Sequence, residues 1–165
     1  MHVPAQRAEA AGGRALPLLA AIACGGALGA VARHALGRAL PVPADGFPWA
    51  VLLANGLGCA LIGVLMVLIS EGGRQAPHPL VRPFLGVGVL GGFTTFSTYA
   101  VDVARLLEED APGTAMAYLA GTLAGALGAV VLGAWATRAV VRRRARSTGG
   151  VRSAAGADGD GDGAA

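Results

Sequence analysis

The chain has 165 residues, enough for one modest domain, but 54% are hydrophobic, 14% are charged and the mean hydropathy is +0.58. That balance argues against a water-soluble enzyme and against any large extramembrane domain. The net charge of +3 and pI near 9.5 would suit a nucleic-acid binder, yet the arginines flank the apolar stretches, where they read as membrane orientation signals.

Four stretches, 15–32, 46–70, 83–101 and 111–137, contain no Asp, Glu, Lys or Arg and together hold 89 of the 165 residues. About 20 apolar residues rising 1.5 Å each cross a hydrocarbon core of roughly 30 Å. Each stretch therefore predicts a transmembrane helix, with spans at about 15–37, 48–70, 80–107 and 113–141. In chain order, a polar, Ala-rich segment (1–14) precedes Pro17, which can open a helix in its first turn, where the missing N–H costs nothing. Arg7 and Arg14 before an apolar run also fit a signal peptide, a reading that three further spans weaken. Pro41, Pro43, Asp45 and Gly46 make a turn, and Pro48 and Trp49 begin the second span, with Trp49 suited to the membrane interface. That span ends at Glu71-Gly72-Gly73. The third follows Pro77, Pro79 and Pro83 and ends in Glu108, Glu109 and Asp110; Pro112 and Gly113 turn into the fourth. Residues 142–165 are basic, then a Gly/Ala/Ser/Asp tail too simple to bury a core, expected to be disordered from about 147.

Four crossings place both termini and the middle loop on one side. Ten arginines fall there (Arg7, Arg14, Arg74, Arg82, Arg138, Arg142, Arg143, Arg144, Arg146 and Arg152) against three on the other (Arg33, Arg38 and Arg105). Basic flanks stay cytoplasmic, which predicts a multi-pass protein of the cell membrane with both termini inside and one fixed orientation.

Several residues stand out within the spans. Arg33 shares a helical stripe with Gly25, Gly29 and Gly37; it either snorkels to headgroups or draws anions into a vestibule. Asn55 must find hydrogen-bond partners where lipid offers none, either on another helix or along a polar pathway. The third span is the most informative, reading Gly91-Gly92-Phe93-Thr94-Thr95-Phe96-Ser97-Thr98-Tyr99 at its centre. Glycine pairs and back-bonding hydroxyls weaken a helix, so a break with freed carbonyls at mid-depth is expected, a Thr-rich packed helix being the alternative. In the fourth span Tyr118, Thr122 and Ala126 share one stripe, and Gly121 and Gly125 another; the first is a hydroxyl track or plain packing. Cys24 and Cys59 read as small hydrophobes, with no disulfide or Cys/His metal site expected. Gly86-Val87-Gly88-Val89-Leu90-Gly91 matches a dinucleotide pattern but lies within a span. Asp158, Asp160 and Asp162 lack the glutamate of a calcium loop. With only His2, His34 and His78 as histidines, no catalytic set assembles and no enzyme is expected.

Taken together, Gly25-Gly26-Ala27-Leu28-Gly29-Ala30-Val31-Ala32-Arg33, Asn55 with Gly58 and Gly63, and residues Gly91 to Thr98 resemble the small fluoride channel family called CrcB or Fluc, over about residues 18–140. The resemblance implies an all-α membrane protein with four transmembrane helices, a break in the third, and an antiparallel dimer that carries fluoride passively out of the cytoplasm through two pores, reducing fluoride toxicity. It implies pore aromatics at Phe96 and Tyr99, joined by Asn55, with Arg33 at the vestibule. Thr95, Ser97 and Thr98 fall in the same pathway, and Tyr118 and Thr122 match a hydroxyl track. Carbonyls of Gly91 and Thr94 from both subunits would hold a structural sodium ion at the dimer centre. Three residues depart from the family pattern: Tyr99 stands for the usual second phenylalanine, His34 for a tyrosine after the arginine, and Ala126 lacks the hydroxyl that would complete the track.

Elementary physics points the same way. An aromatic ring has a positive edge, so ring edges with hydroxyl and amide donors can replace the hydration of a small anion without trapping it at a fixed charge. The alternative, a small proton-coupled drug or cation exporter, needs a membrane carboxylate, which the spans are expected not to contain. A non-conducting assembly subunit would follow if the centre of the third span were plain packing. The arginine bias also conflicts with an antiparallel homodimer, since dual insertion needs balanced charge; an oppositely oriented paralogue is the expected partner.

Overall fold

The computed structural model describes residues 15–41, 46–71 and 78–157. The segment 1–14, the turn residues Pro43 and Asp45, the loop 72–77 and the acidic end of the tail (158–165) lie outside the described residues. Among the described residues all regular structure is helical: α1 (Ala15–Ala39), α2 (Trp49–Glu71), a third span divided into α3 (Arg82–Leu90), α4 (Gly91–Phe93) and α5 (Ser97–Glu108), and α6 (Pro112–Ala157). Four segments, Ala15–Ala39, Trp49–Ser70, Arg82–Glu108 and Pro112–Arg143, are long and apolar enough to cross a membrane. The architecture is that of an all-α membrane protein.

Two helix pairs organise the bundle, α1 against α3 and α4, and α2 against α6. Both pairs are built on glycine, because helices in lipid gain no hydrophobic drive toward one another and associate by close backbone approach. A Cβ on Gly88 would lie 2.8 Å from the Ile22 carbonyl and 2.9 Å from the Gly25 Cα, and one on Gly25 would strike the Phe84 carbonyl. Gly29 abuts the Val89 carbonyl, whereas Gly37, on the same sequence stripe, faces open space. Across the other pair, Gly63 lies against Val130 and Gly133 against Ala60. Replacing Gly88 by valine is expected to cost about 1–3 kcal/mol by overpacking backbone that cannot yield. The measurement is the melting temperature of the detergent-solubilised chain, with Gly37→Ala as the unperturbed control.

α3 is a π-helix, wider than an α-helix, with Pro83 in its first turn, where the absent N–H costs no bond. The turn from α5 to α6 closes tightly. Asp110 takes φ 54°, a left-handed conformation that Asp tolerates better than most residues, and the Ala111 N–H returns to the Leu106 carbonyl at 2.9 Å, the six-to-one bond of a helix end. Pro112 then opens α6. A small core beneath this turn buries Leu106, Ala115 and Tyr118, with Phe47, Val51 and Val103 packed around them.

α6 continues through 46 residues to Ala157, past the apolar stretch and into the segment for which composition predicts disorder from about 147. Arginine and alanine are among the strongest helix formers, and residues 142–146 contain nothing else, which carries the helix past the apolar stretch; Ser147, Thr148, Gly149 and Gly150 beyond them are weaker helix formers, and local propensity does not explain why the helix continues there.

Candidate functional site at the interrupted third span

The helix of the third span stops at Phe93 and resumes at Ser97. Thr94 leaves helical geometry, with φ −79° and ψ 158°. Its N–H and its Oγ1 both donate to the Leu90 carbonyl, at 3.0 Å each, and its methyl packs against Gly58, leaving no room there for a Cβ. Two glycines before this point and hydroxyls after it supply the local cause, since Ser and Thr compete for backbone groups that a helix would otherwise use.

What holds the extended residues is a side chain from α2. Asn55 Oδ1 accepts the Thr95 N–H at 2.8 Å, and Asn55 Nδ2 donates to the Thr95 carbonyl at 2.9 Å. Asn55 thus completes both polar groups of one peptide residue, as a neighbouring strand would. Arg33 comes from α1 and donates its Nε to the Gly92 carbonyl at 3.2 Å. Thr95 Oγ1 accepts the Thr98 N–H at 3.2 Å, donates to Thr98 Oγ1 at 3.1 Å and lies 3.3 Å from Ser97 Oγ.

These bonds divert two helical donors. In an unbroken helix the Gly91 carbonyl would receive the Thr95 N–H, and the Thr94 carbonyl the Thr98 N–H. The first donor now serves Asn55 and the second serves the Thr95 side chain. Among the described residues no group of His, Cys, Asp or Glu could hold a metal ion.

A run of aromatic rings leads away from the interruption. The Phe96 ring is 79% exposed and lies 5.9 Å from that of Tyr99. Tyr99 in turn lies 5.3 Å from Tyr118 and donates its hydroxyl to the Leu119 carbonyl at 3.1 Å. Tyr118 is fully buried, meets the Phe47 ring edge-on at 5.3 Å and 88°, and donates its hydroxyl to Asp102 Oδ2 at 3.2 Å. One turn along α6, Thr122 is 7% exposed, and its Oγ1 has no hydrogen-bond partner among the described residues. A buried hydroxyl without a partner is costly and calls for an occupant.

The predicted residues thus fall into two sets. Arg33, Asn55, Gly91, Thr94, Thr95, Ser97 and Thr98 gather at the interruption, and Phe96, Tyr99 and Tyr118 form the aromatic run that Thr122 extends on α6. Two participants escaped the sequence reading. Phe47 was subsumed in the turn before Trp49, and its pairing with Tyr118 depends on a contact between distant segments. Asp102 lies one residue beyond the charge-free stretch 83–101 yet within the span Arg82–Glu108. The expectation that the spans offer no carboxylate is corrected accordingly. Its helical spacing of three from Tyr99 was the available signal.

Comparison with known proteins gives consistent matches. Residues 20–134 match the family described as CrcB-like protein, Camphor Resistance (CrcB). A relative from Streptomyces coelicolor, named fluoride-specific ion channel FluC 1, is 53% identical over 128 residues, covering 78% of this chain and 82% of the relative. FluC 2 of Streptomyces avermitilis is 51% identical over 123 residues, 74% and 76% of the two chains. FluC 2 of Thermobifida fusca is 51% identical over 130 residues, 79% and 95%. All three names describe ion channels, not enzymes.

Proposed function

Because this chain belongs to the CrcB-like family, we propose that it is a fluoride-specific channel through which fluoride leaves the cytoplasm passively. The single observation that carries the reading is the disposition of uncharged groups: the exposed Phe96, Tyr99 beside it, and the buried, unpartnered hydroxyl of Thr122. A small anion entering such a row exchanges water for several weak dipoles and meets no lysine or arginine strong enough to arrest it. Asn55 and Arg33 then act by fixing the backbone that presents Phe96, since both are engaged with residues 92 and 95.

The channel is completed by a second subunit in the antiparallel sense. Phe96 and Ser97 are exposed on the single chain, and the Gly91 and Thr94 carbonyls, deprived of helical donors, are too few to surround a cation alone. A twofold-related copy would bring an equal set, and sodium bound there would be coordinated by carbonyls of both subunits and join them. The arginine bias favours a partner of opposite bias over a second identical chain. Epitopes at both termini are expected to be reachable only from the cytoplasmic side of intact cells; equal labelling from both sides would overturn the fixed orientation.

Efflux from liposomes tests the whole reading. Vesicles carrying the chain with its partner should lose fluoride and retain chloride, with no dependence on an imposed proton gradient. The carboxylate of Asp102 is what favours the second reading, a proton-coupled exporter. Under that reading efflux would follow the proton gradient and stop in Asp102→Asn.

A further inference from the structure

The two helices that carry the proposed pathway are tied together by a pair of tyrosine hydroxyls running in opposite directions. Tyr99 on α5 donates to the Leu119 carbonyl of α6 at 3.1 Å, and Tyr118 on α6 donates to Asp102 Oδ2 of α5 at 3.2 Å. The two rings lie 5.3 Å apart, so each bond fixes a ring that the other ring leans on. Phe96 stands three residues before Tyr99, and Thr122 four after Tyr118. The tyrosine pair therefore sets how far apart the groups that an anion would pass are held.

A hydroxyl bond fixes the tip of a ring, and its tilt is fixed by what packs against the face and edges. Tyr118 has no exposed surface, and one of its neighbours comes from neither α5 nor α6. Phe47, on the connection before α2, meets the Tyr118 ring at 5.3 Å and 88°. The backbone beneath Phe47 is held without help from its ring: the Gly46 carbonyl accepts Arg105 Nη2 at 3.4 Å, the Trp49 N–H returns to the Phe47 carbonyl at 2.8 Å, and Pro48 is fully buried. A shorter side chain at 47 leaves a gap beside Tyr118 that this backbone does not move to close.

We propose that Phe47 is a positioning residue for anion selectivity: by holding the Tyr118 ring so that its hydroxyl stays on Asp102, it keeps α5 and α6 at a spacing that suits a small halide and excludes a larger one. The inference rests on the channel reading. Fluoride and chloride carry the same charge and differ in size and hydration, so weak dipoles tell them apart only where their separation cannot relax. A ring with two rotatable bonds passes position on from one neighbour to the next, whereas a flexible aliphatic chain yields.

The experiment loads the liposomes of the efflux assay equally with fluoride and chloride and reads the ratio of the two release rates, which does not depend on how much protein has inserted. Phe47→Leu should lower the fluoride-to-chloride ratio about threefold to tenfold, the scale of one aromatic pair. Phe47→Tyr, which keeps the ring, should hold the ratio. Phe47→Met fills similar space without a ring; it should lower the ratio in the same way, and it replaces the leucine variant if that one does not insert. In Tyr118→Phe, where the bond to Asp102 is already lost, Phe47→Leu should add little. A conducting chain whose ratio ignores both Phe47→Leu and Phe47→Met would overturn the inference alone, as would an equal drop in Phe47→Tyr or an undiminished further drop in Tyr118→Phe. Liposomes of the unaltered chain that keep their fluoride would overturn the channel reading, and this inference with it.

Discussion

Replacing Asn55 by leucine is expected to lower fluoride efflux by about a hundredfold while the chain still inserts into the membrane. The two Asn55 bonds, 2.8 and 2.9 Å long, satisfy the N–H and the carbonyl of Thr95 in a medium with no water to replace them. Leaving one such group unmade costs about 1–3 kcal/mol, and each 1.4 kcal/mol is a factor of ten. The segment 94–96 then recovers its bonds by resuming a helix, as Gly91 and Thr94 carbonyls lie ready to accept the freed N–H groups. Resumption turns Phe96 off its present heading. Asn55→Asp is the sharper control, because it keeps the acceptor for the Thr95 N–H but loses the donor and places a charge by an anion path. Liposome efflux, with insertion measured by membrane fractionation, checks both; full activity in Asn55→Leu would show that the interruption needs no clamp.

Phe96→Ile gives the second large effect, by a different route. The ring is 79% exposed on the chain, so its removal leaves little void and should leave the melting temperature of the subunit near its starting value. Isoleucine has bulk but no positive edge. A desolvated small anion that loses one dipole of a few forfeits about 1.5–3 kcal/mol, by analogy with hydrogen bonds to charged groups, so efflux should fall about tenfold to a hundredfold. Phe96→Tyr, which keeps the edge, should retain most of it. A channel indifferent to Phe96→Ile would remove the ring from the pathway. Tyr99 is a weaker site for the same test, because its hydroxyl is bonded to the Leu119 carbonyl and its loss disturbs α6 as well.

Much of this was legible in the residues themselves. Long stretches without charge mark the membrane segments, because no other solvent rewards so many consecutive apolar side chains. The spacing of Gly25 and Gly29 announces close helix contact, and both are buried against the third span; Gly37 shares that spacing but lies past the contact, a limit that only the crossing of two helices sets. Asn55 and Arg33 were visible as polar groups needing partners. Their particular partners, the Thr95 backbone and the Gly92 carbonyl, are 40 and 59 residues away in sequence, and no local rule specifies them. The same applies to Phe47 against Tyr118. Asp102 sits inside the predicted third span, 80–107, one residue past its charge-free stretch 83–101, so an absence that holds for the stretch does not hold for the span.

The backbone contact between Gly25 and Gly88 carries a consequence for how the sequence can vary. Where two large side chains meet, growth on one side can be compensated by trimming the opposite residue. Here neither position has anything to trim, so a lesion at one cannot be repaired at the other. Second-site revertants of Gly88→Ala should instead arise in residues that let α1 translate as a body, such as the connection around residue 41, and the pair itself should behave as a single unit of inheritance.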